Sequence, residues 1–222
     1  RTQMQAFLDF DAGPKSAVLV NNLDWMSSYT YLAFLRDIGK NFPVNVMMAK
    51  DSVKGRLDRT DVGLSYTELS YMLLQAYDFV HLCREHQCLI QAGGSDQWGN
   101  ITAGIDLGRR MLGQQLFGIT APLLTTSDGR KMGKTESGAI WLDPDRTSPY
   151  QFYQYWKRVE DDDVMRCIAF LTEIERQEYD SLAEKTKSDP GRQEAQNRLA
   201  DWMTTMVHGQ DGLATAQRAS KI

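Results

Sequence analysis

Three groups of residues in this sequence have types and spacings suited to chemistry. The first is Tyr71, Gln75 and Asp78. At i, i+4 and i+7 they share one face of a helix and present a phenol, an amide and a carboxylate in line. That set suits a small zwitterion carrying a polar group of its own. The second is the turn Gly93-Gly94-Ser95-Asp96-Gln97-Trp98-Gly99-Asn100. Paired glycines admit a ligand close to the backbone, Ser95 or Asp96 can cap a following helix, and free amides at a helix start favour anionic groups. The third is Gly129-Arg130-Lys131-Met132-Gly133-Lys134-Thr135, which packs three cations and two glycines into one loop, a composition suited to polyphosphate. Each group also has a plainer reading, as a solvated helix face, a tight capped turn or a basic surface turn.

Two familiar nucleotide signatures fail here. The glycine turn lacks G-x-G-x-x-G, and the basic loop has three residues between its glycines where a Walker A loop has four. The stretch 136–140 after Gly133-Lys134-Thr135 also reads as unhelical, whereas a Walker A loop leads into a helix.

The elements that must position these groups follow from hydrophobic period. Leu69, Met72, Leu73, Ala76, Phe79 and Val80 recur at three- and four-residue spacing, which predicts a long helix over 64–83 with its apolar stripe opposite Tyr71, Gln75 and Asp78. The run Ser16-Ala17-Val18-Leu19-Val20, and Cys88 to Ala92 ending in Gly93-Gly94, read as buried parallel strands. A helix capped by Ser27 or Ser28 and stopped by Gly39 is expected after the polar Asn21, Asn22, Asp24 and Trp25. Further helices are expected around 52–57 and 101–112, and an apolar run spans 119–124. From Ser148 onward the pattern is helical. The order implies an α/β domain with a parallel sheet to about residue 145 and a helical domain over 146–222. Ligands of open α/β sheets sit beyond the carboxyl ends of the strands, so the polar groups after Val20, Ala92 and Leu124 should converge on one cleft.

Composition limits the alternatives. With 25 Lys and Arg against 29 Asp and Glu, the 222-residue chain carries a net charge of −4, which excludes a protein-wide basic field for nucleic acid. Cys83, Cys88 and Cys167 form no C-x-x-C pair, which argues against zinc or a disulfide framework and fits a reducing cytoplasm. No apolar run approaches the roughly 18 residues of a membrane span.

Taken together, YMLLQAYDF at 71–79, QAGGSDQWGNITAG at 91–104 and KMGKT at 131–135 resemble the tyrosyl branch of the class I aminoacyl-tRNA synthetases. NNLDW at 21–25, FLRDIGK at 34–40 and TSPYQFYQYW at 147–156 extend the resemblance over nearly the whole chain. It implies a Rossmann-like catalytic domain followed by a helical domain near the anticodon side of tRNA, and an enzyme that activates L-tyrosine with ATP and loads it onto tRNA(Tyr). By that resemblance Asp78 accepts a hydrogen bond from the tyrosine hydroxyl, and Tyr71 and Gln75 hold the α-amino end. Gln97 lies by the carboxylate, with Asn22 and Trp25 supporting that end. Gly94 and Asp96 face the ribose, Leu123 and Leu124 flank adenine, and Lys131, Lys134 and Thr135 meet the departing pyrophosphate, with Mg²⁺ sharing the phosphate charge. The resemblance also implies a cytoplasmic homodimer joined largely through an insertion at about 20–80, and no protein-held metal.

KMGKT departs from the family's KMSKS at Gly133 and Thr135 while keeping the lysine spacing. His81, His86 and His208 form no H-x-G-H arrangement. The family's HIGH segment is therefore expected upstream of Arg1, and residues 1–222 alone are expected not to make tyrosyl-adenylate. The competing readings are a tryptophanyl sister enzyme, against which Asp78 and Tyr71 argue, and a non-catalytic RNA-binding relative, against which the lysines of KMGKT argue.

Overall fold

Ser65 starts the longest helix of the first part of the chain by a reciprocal cap. Its hydroxyl accepts from Glu68 N at 3.2 Å, and the Glu68 carboxylate accepts from Ser65 N at 3.0 Å. The helix runs over Tyr66–His86 and stops at Gln87, which takes the left-handed conformation with φ 55°. In chain order it is α4, preceded by the short helices α1 (Leu23–Met26), α2 (Tyr31–Asp37) and α3 (Val44–Met48). It is followed by β1 (Ile90–Gly94), α5 (Trp98–Leu112) and β2 (Phe117–Ala121). This computed structural model describes residues 1–50, 53–55, 63–127, 129, 132, 134–135 and 138–220, of 134, 135 and 138 the backbone alone. The helix expected around 52–57 falls mostly outside the described residues.

The chain divides into two compact units, residues 20–123 and residues 1–19 with 124–222. In the first, the stripe Met72, Leu73, Ala76, Phe79 and Val80 is buried and packs on α5. Gly104 allows that approach, because a Cβ there would lie 3.0 Å from Phe79 Cδ1. Strands β1 and β2 pair in parallel with Ile90 opposite Phe117 and Gly94 opposite Ala121, and α5 is the crossover between them.

Three expectations are corrected here. The segment 16–20 is no strand, and Val18 is 70% exposed. An extended run becomes a strand only by pairing, and no described strand pairs with it. The strand expected from Cys88 starts only at Ile90, although it ends in Gly93-Gly94 as expected, and Leu89 and Ile90 are exposed rather than buried. Parallel strands are buried on both faces only when helices cover both. Finally, Thr30 caps α2, its Oγ1 accepting from Ala33 N at 3.3 Å, in place of Ser27 or Ser28.

The second unit is mainly helical, with α6 (Pro149–Lys157), α7 (Asp161–Leu171), α8 (Arg176–Ser188) and α9 (Glu194–Ala219). Ser148 and Gln151 form a second capping box at the start of α6, with Pro149 at the first helical position. The core joins Phe152 and Trp156 of α6, Val164, Cys167 and Ile168 of α7, Leu182 of α8, and Leu199, Ala200 and Ala216 of α9. Helix α9 kinks at Gly209, where φ is 70°. Before the helices, β3 (Lys134–Thr135) and β4 (Gly138–Ala139) form a short antiparallel hairpin. Lys134 and Thr135 lie in a strand, whereas a Walker A loop leads into a helix. No described helix is long and apolar enough to cross a membrane.

Candidate functional site

Asp78 is the centre of the best-defined polar cluster in the unit 20–123. Trp25 Nε1 donates to Asp78 Oδ1 at 2.8 Å, and Asn22 Nδ2 donates to Asp78 Oδ2 at 3.2 Å. Asn22 occupies the N-cap position of α1 without a side-chain capping bond and Trp25 lies within the helix, three residues on, so one turn of helix turns both donors to the same side. The Trp25 ring stacks on His81 at 4.2 Å and 16°, and His81 follows Asp78 by three positions on α4. Burial lowers the His81 pKa, which favours the neutral form of the stacked ring. Tyr29 donates to Tyr77 at 3.0 Å and tethers the segment after α1 to α4. Burial, with that bond, pushes the Tyr29 pKa to about 12, so it remains a phenol.

A carboxylate has about four acceptor positions, and these two bonds use one on each oxygen. Asp78 therefore retains capacity for a further donor while its orientation is fixed. The resemblance set Asn22 and Trp25 beside a substrate carboxylate, whereas their contacts here are with Asp78. Gln75, one turn before Asp78, is half-buried, and Tyr71, a turn earlier, is 55% exposed.

Tyr71 and Asp96 line a common open cleft of about 190 Å³ with Glu68, Asn100, Met72 and Leu64. Its carboxylates favour hydroxyl and ammonium donors over phosphate. Gly94 is sterically required at its edge. A Cβ there would lie 2.6 Å from Asp96 Oδ1 and 3.0 Å from Leu123 Cδ2, so Gly94, Asp96 and Leu123 meet around one point. Gln97 sits beside them, its Nε2 3.4 Å from Asp96 Oδ2 and its Oε1 accepting from Asn100 Nδ2 at 3.2 Å. Neither Ser95 nor Asp96 caps α5. Ser95–Gln97 form a 3-10 turn and Gln97 occupies the cap position without a side-chain bond, which leaves Asp96 turned to the cleft.

Leu124 belongs to the other unit and packs against its helical core. Lys131 lies outside the described residues, and Lys134 and Thr135 form the first strand of the hairpin. No group of three His, Cys, Asp or Glu among the described residues could hold a metal ion.

Sequence reasoning missed Lys50. Its Nζ donates to Gly99 O at 2.5 Å and to Thr102 Oγ1 at 3.2 Å, fastening the region after α3 to the first turn of α5. Burial lowers its pKa. A single lysine has no spacing signature, so only tertiary structure finds it.

The chain has clear counterparts among known proteins. The family model described as tRNA synthetases class I (W and Y) matches residues 1–222. A curated tyrosine–tRNA ligase of Rhodopirellula baltica is 71% identical over 220 residues, 99% of this chain and 50% of that protein. Tyrosine–tRNA ligase 1 of Photorhabdus laumondii is 54% identical over 221 residues, 100% of this chain and 52% of that protein. The chain thus spans about half the length of the curated relatives it matches. Among solved structures, a C-terminally truncated mitochondrial tyrosyl-tRNA synthetase of Coccidioides posadasii superposes with a TM-score of 0.75 at 32% identity. It covers 92% of this chain and 58% of that one.

Proposed function

Because this chain belongs to the class I tRNA synthetases of the tryptophan and tyrosine group, with the α/β fold of that class, we propose that it is part of a tyrosine–tRNA ligase. The protein activates L-tyrosine with ATP to tyrosyl-adenylate and transfers tyrosine to tRNA(Tyr). The observation that carries the choice of tyrosine is Asp78, held by Trp25 and Asn22 with acceptor capacity to spare, on the same helix face as Tyr71 and Gln75.

In this reading the tyrosine hydroxyl donates to Asp78, and Tyr71 and Gln75 receive the ammonium. Asn22 and Trp25 act on the substrate through Asp78, and Gln97 stands by the carboxylate. Gly94 and Asp96 receive the ribose, where a carboxylate accepts from hydroxyl groups, and Leu123 and Leu124 flank adenine. The tyrosine carboxylate attacks the α-phosphate and pyrophosphate leaves. Lys131, Lys134 and Thr135 stabilise the charge that develops on the leaving group. The tRNA 3′ hydroxyl then attacks the tyrosyl carbonyl and releases AMP. No side chain is needed as a nucleophile, so catalysis is positioning and electrostatics. Mg²⁺ would arrive on the ATP phosphates, where that ion usually binds.

We further propose a cytoplasmic homodimer formed through residues of about 20–80. Tyr31, Leu32, Val44 and Tyr66 are exposed in that stretch, Leu32 by 75%. The domain division at about 145, with a helical part toward the anticodon side of tRNA, belongs to the same reading.

The test is ATP–pyrophosphate exchange by the full-length protein with tyrosine or tryptophan as the amino acid. Exchange that depends on tyrosine and is lost in Asp78→Ala is expected. Exchange that depends on tryptophan, or none with either, would overturn the proposal.

A further inference from the structure

The segment that leads into the KMGKT sequence is fastened to one helix of its own unit by three separate side chains. Asp163 lies in the first turn of α7 and is 2% exposed, yet its nearest partners are not in its own helix alone. Its Oδ2 accepts from the backbone N–H of Ser127 at 3.1 Å and lies 3.5 Å from the Ser127 hydroxyl. One turn on, Arg166 Nη1 donates to the carbonyl of Thr125 at 3.0 Å, and its other terminal nitrogen lies 3.5 Å from Asp163 Oδ1. A further position along, the Cys167 thiol meets the thioether of Met132 at 3.4 Å in the helical core. Met132 is the second residue of KMGKT, and its N–H donates to Leu124 O at 3.1 Å, closing the stem of the segment.

Residues 163, 166 and 167 thus occupy one face of α7 and grip Ser127, Thr125 and Met132 in turn. A surface helix does not need a fully buried carboxylate to fold. Such a group is costly unless it is paired and hydrogen-bonded, and here its partners are the backbone of the stem and Arg166. The stem is the neighbour in sequence of Lys131 and Lys134, the cations that must stand at fixed positions if they are to stabilise developing charge.

We infer that Asp163 is a positioning residue for pyrophosphate departure, holding the stem of the KMGKT loop on α7 through Ser127, with Arg166 as its second fastening. This rests on the proposed tyrosine–tRNA ligase activity. Neither residue touches tyrosine or ATP in this account. Loss of the grip should therefore appear in the parameters of ATP and of the chemical step, and not in those of tyrosine.

The experiment uses the full-length protein with Asp163→Ala, Asp163→Asn and Arg166→Ala. ATP–pyrophosphate exchange is measured at varied ATP and at varied tyrosine, together with tyrosine binding at equilibrium and hydrogen exchange of the amides of residues 124–132. Asp163→Ala should lower kcat/KM for ATP about tenfold or more, with tyrosine affinity within about twofold of the parent. The Ser127 amide should lose protection. Asp163→Asn retains an acceptor oxygen and should restore most of both. Arg166 is partly exposed, and Arg166→Ala should lower kcat/KM for ATP by about threefold to fivefold even if Asp163→Ala cannot be purified.

An unchanged kcat/KM for ATP in the folded variants would overturn the inference, as would equal losses for ATP and tyrosine. So would a loss of thermal stability with parental kinetics, which would make Asp163 a fold residue only. Failure of the parent protein to exchange pyrophosphate with tyrosine would instead overturn the ligase reading, and the Ser127 amide would still report whether the grip exists.

Discussion

Replacing Trp25 by Phe tests whether Asp78 must be held to read a hydroxyl. The substitution removes one donor, the indole N–H 2.8 Å from Asp78 Oδ1, while a phenyl ring can keep the stacking on His81 seen at 4.2 Å. A hydrogen bond to a charged group contributes about 1.5–3 kcal/mol. Asp78 is half-buried and keeps its bond from Asn22, so the lower part of that range applies. A loss of about 1.5–2 kcal/mol in transition-state stabilisation corresponds to a fall of about 10- to 30-fold in kcat/KM for tyrosine. Phenylalanine offers Asp78 no hydroxyl, so its kcat/KM should stay nearly constant and the tyrosine-to-phenylalanine ratio should fall by the same factor. Asn22→Ala removes a longer and more exposed bond, 3.2 Å, and should cost about 2- to 5-fold. The double variant should lose more than the sum in free energy, since each donor alone still orients the same carboxylate. The assay is pyrophosphate exchange by the full-length protein with each amino acid. An unchanged ratio, or equal losses for both substrates, would refute the reasoning.

Lys134→Ala in the full-length protein should slow adenylate formation by about 2–4 kcal/mol of transition-state energy, as expected for one preorganised charge donor, with tyrosine binding unchanged. Rapid-quench measurement of the first turnover, beside equilibrium binding, decides this. Gly104→Ala should destabilise the unit 20–123 by about 1 kcal/mol, because overpacking against Phe79, 3.0 Å from the new Cβ, costs about 1–3 kcal/mol and the gain in helix propensity returns about 1. Urea denaturation gives the difference, and a stabilised variant would show that α4 and α5 separate easily. The His208 ring packs edge-on to Phe152 at 5.0 Å, and burial lowers its pKa. The folded state then binds fewer protons than the unfolded state as pH falls through the ordinary value of 6.5, so this group contributes a loss of stability below about pH 6.5. Thermal unfolding between pH 7 and pH 5 should therefore shift downward, and His208→Gln should flatten the shift.

The sequence by itself determined the elements whose reasons are local. Ser65 and Glu68 stand three apart before an apolar stripe, and the capping box with α4 behind it follows directly. The same period put Tyr71, Gln75 and Asp78 on the face away from the stripe, and the family resemblance of 71–79, 91–104 and 131–135 was legible without any coordinates. The segment 16–20 shows the limit of that reading. Its apolar run satisfies the pattern, but a strand exists only where a partner supplies hydrogen bonds, and pairing is not encoded in the run itself. Tertiary structure alone decided that Asn22 and Trp25 hold Asp78 across more than fifty residues of sequence, that Gly94, Asp96 and Leu123 meet at one point, and that Lys50 and Asp163 fasten distant segments. Such contacts have no period and no fixed spacing. They arise where packed helices bring a donor to an acceptor, which is why neither composition nor propensity could announce them.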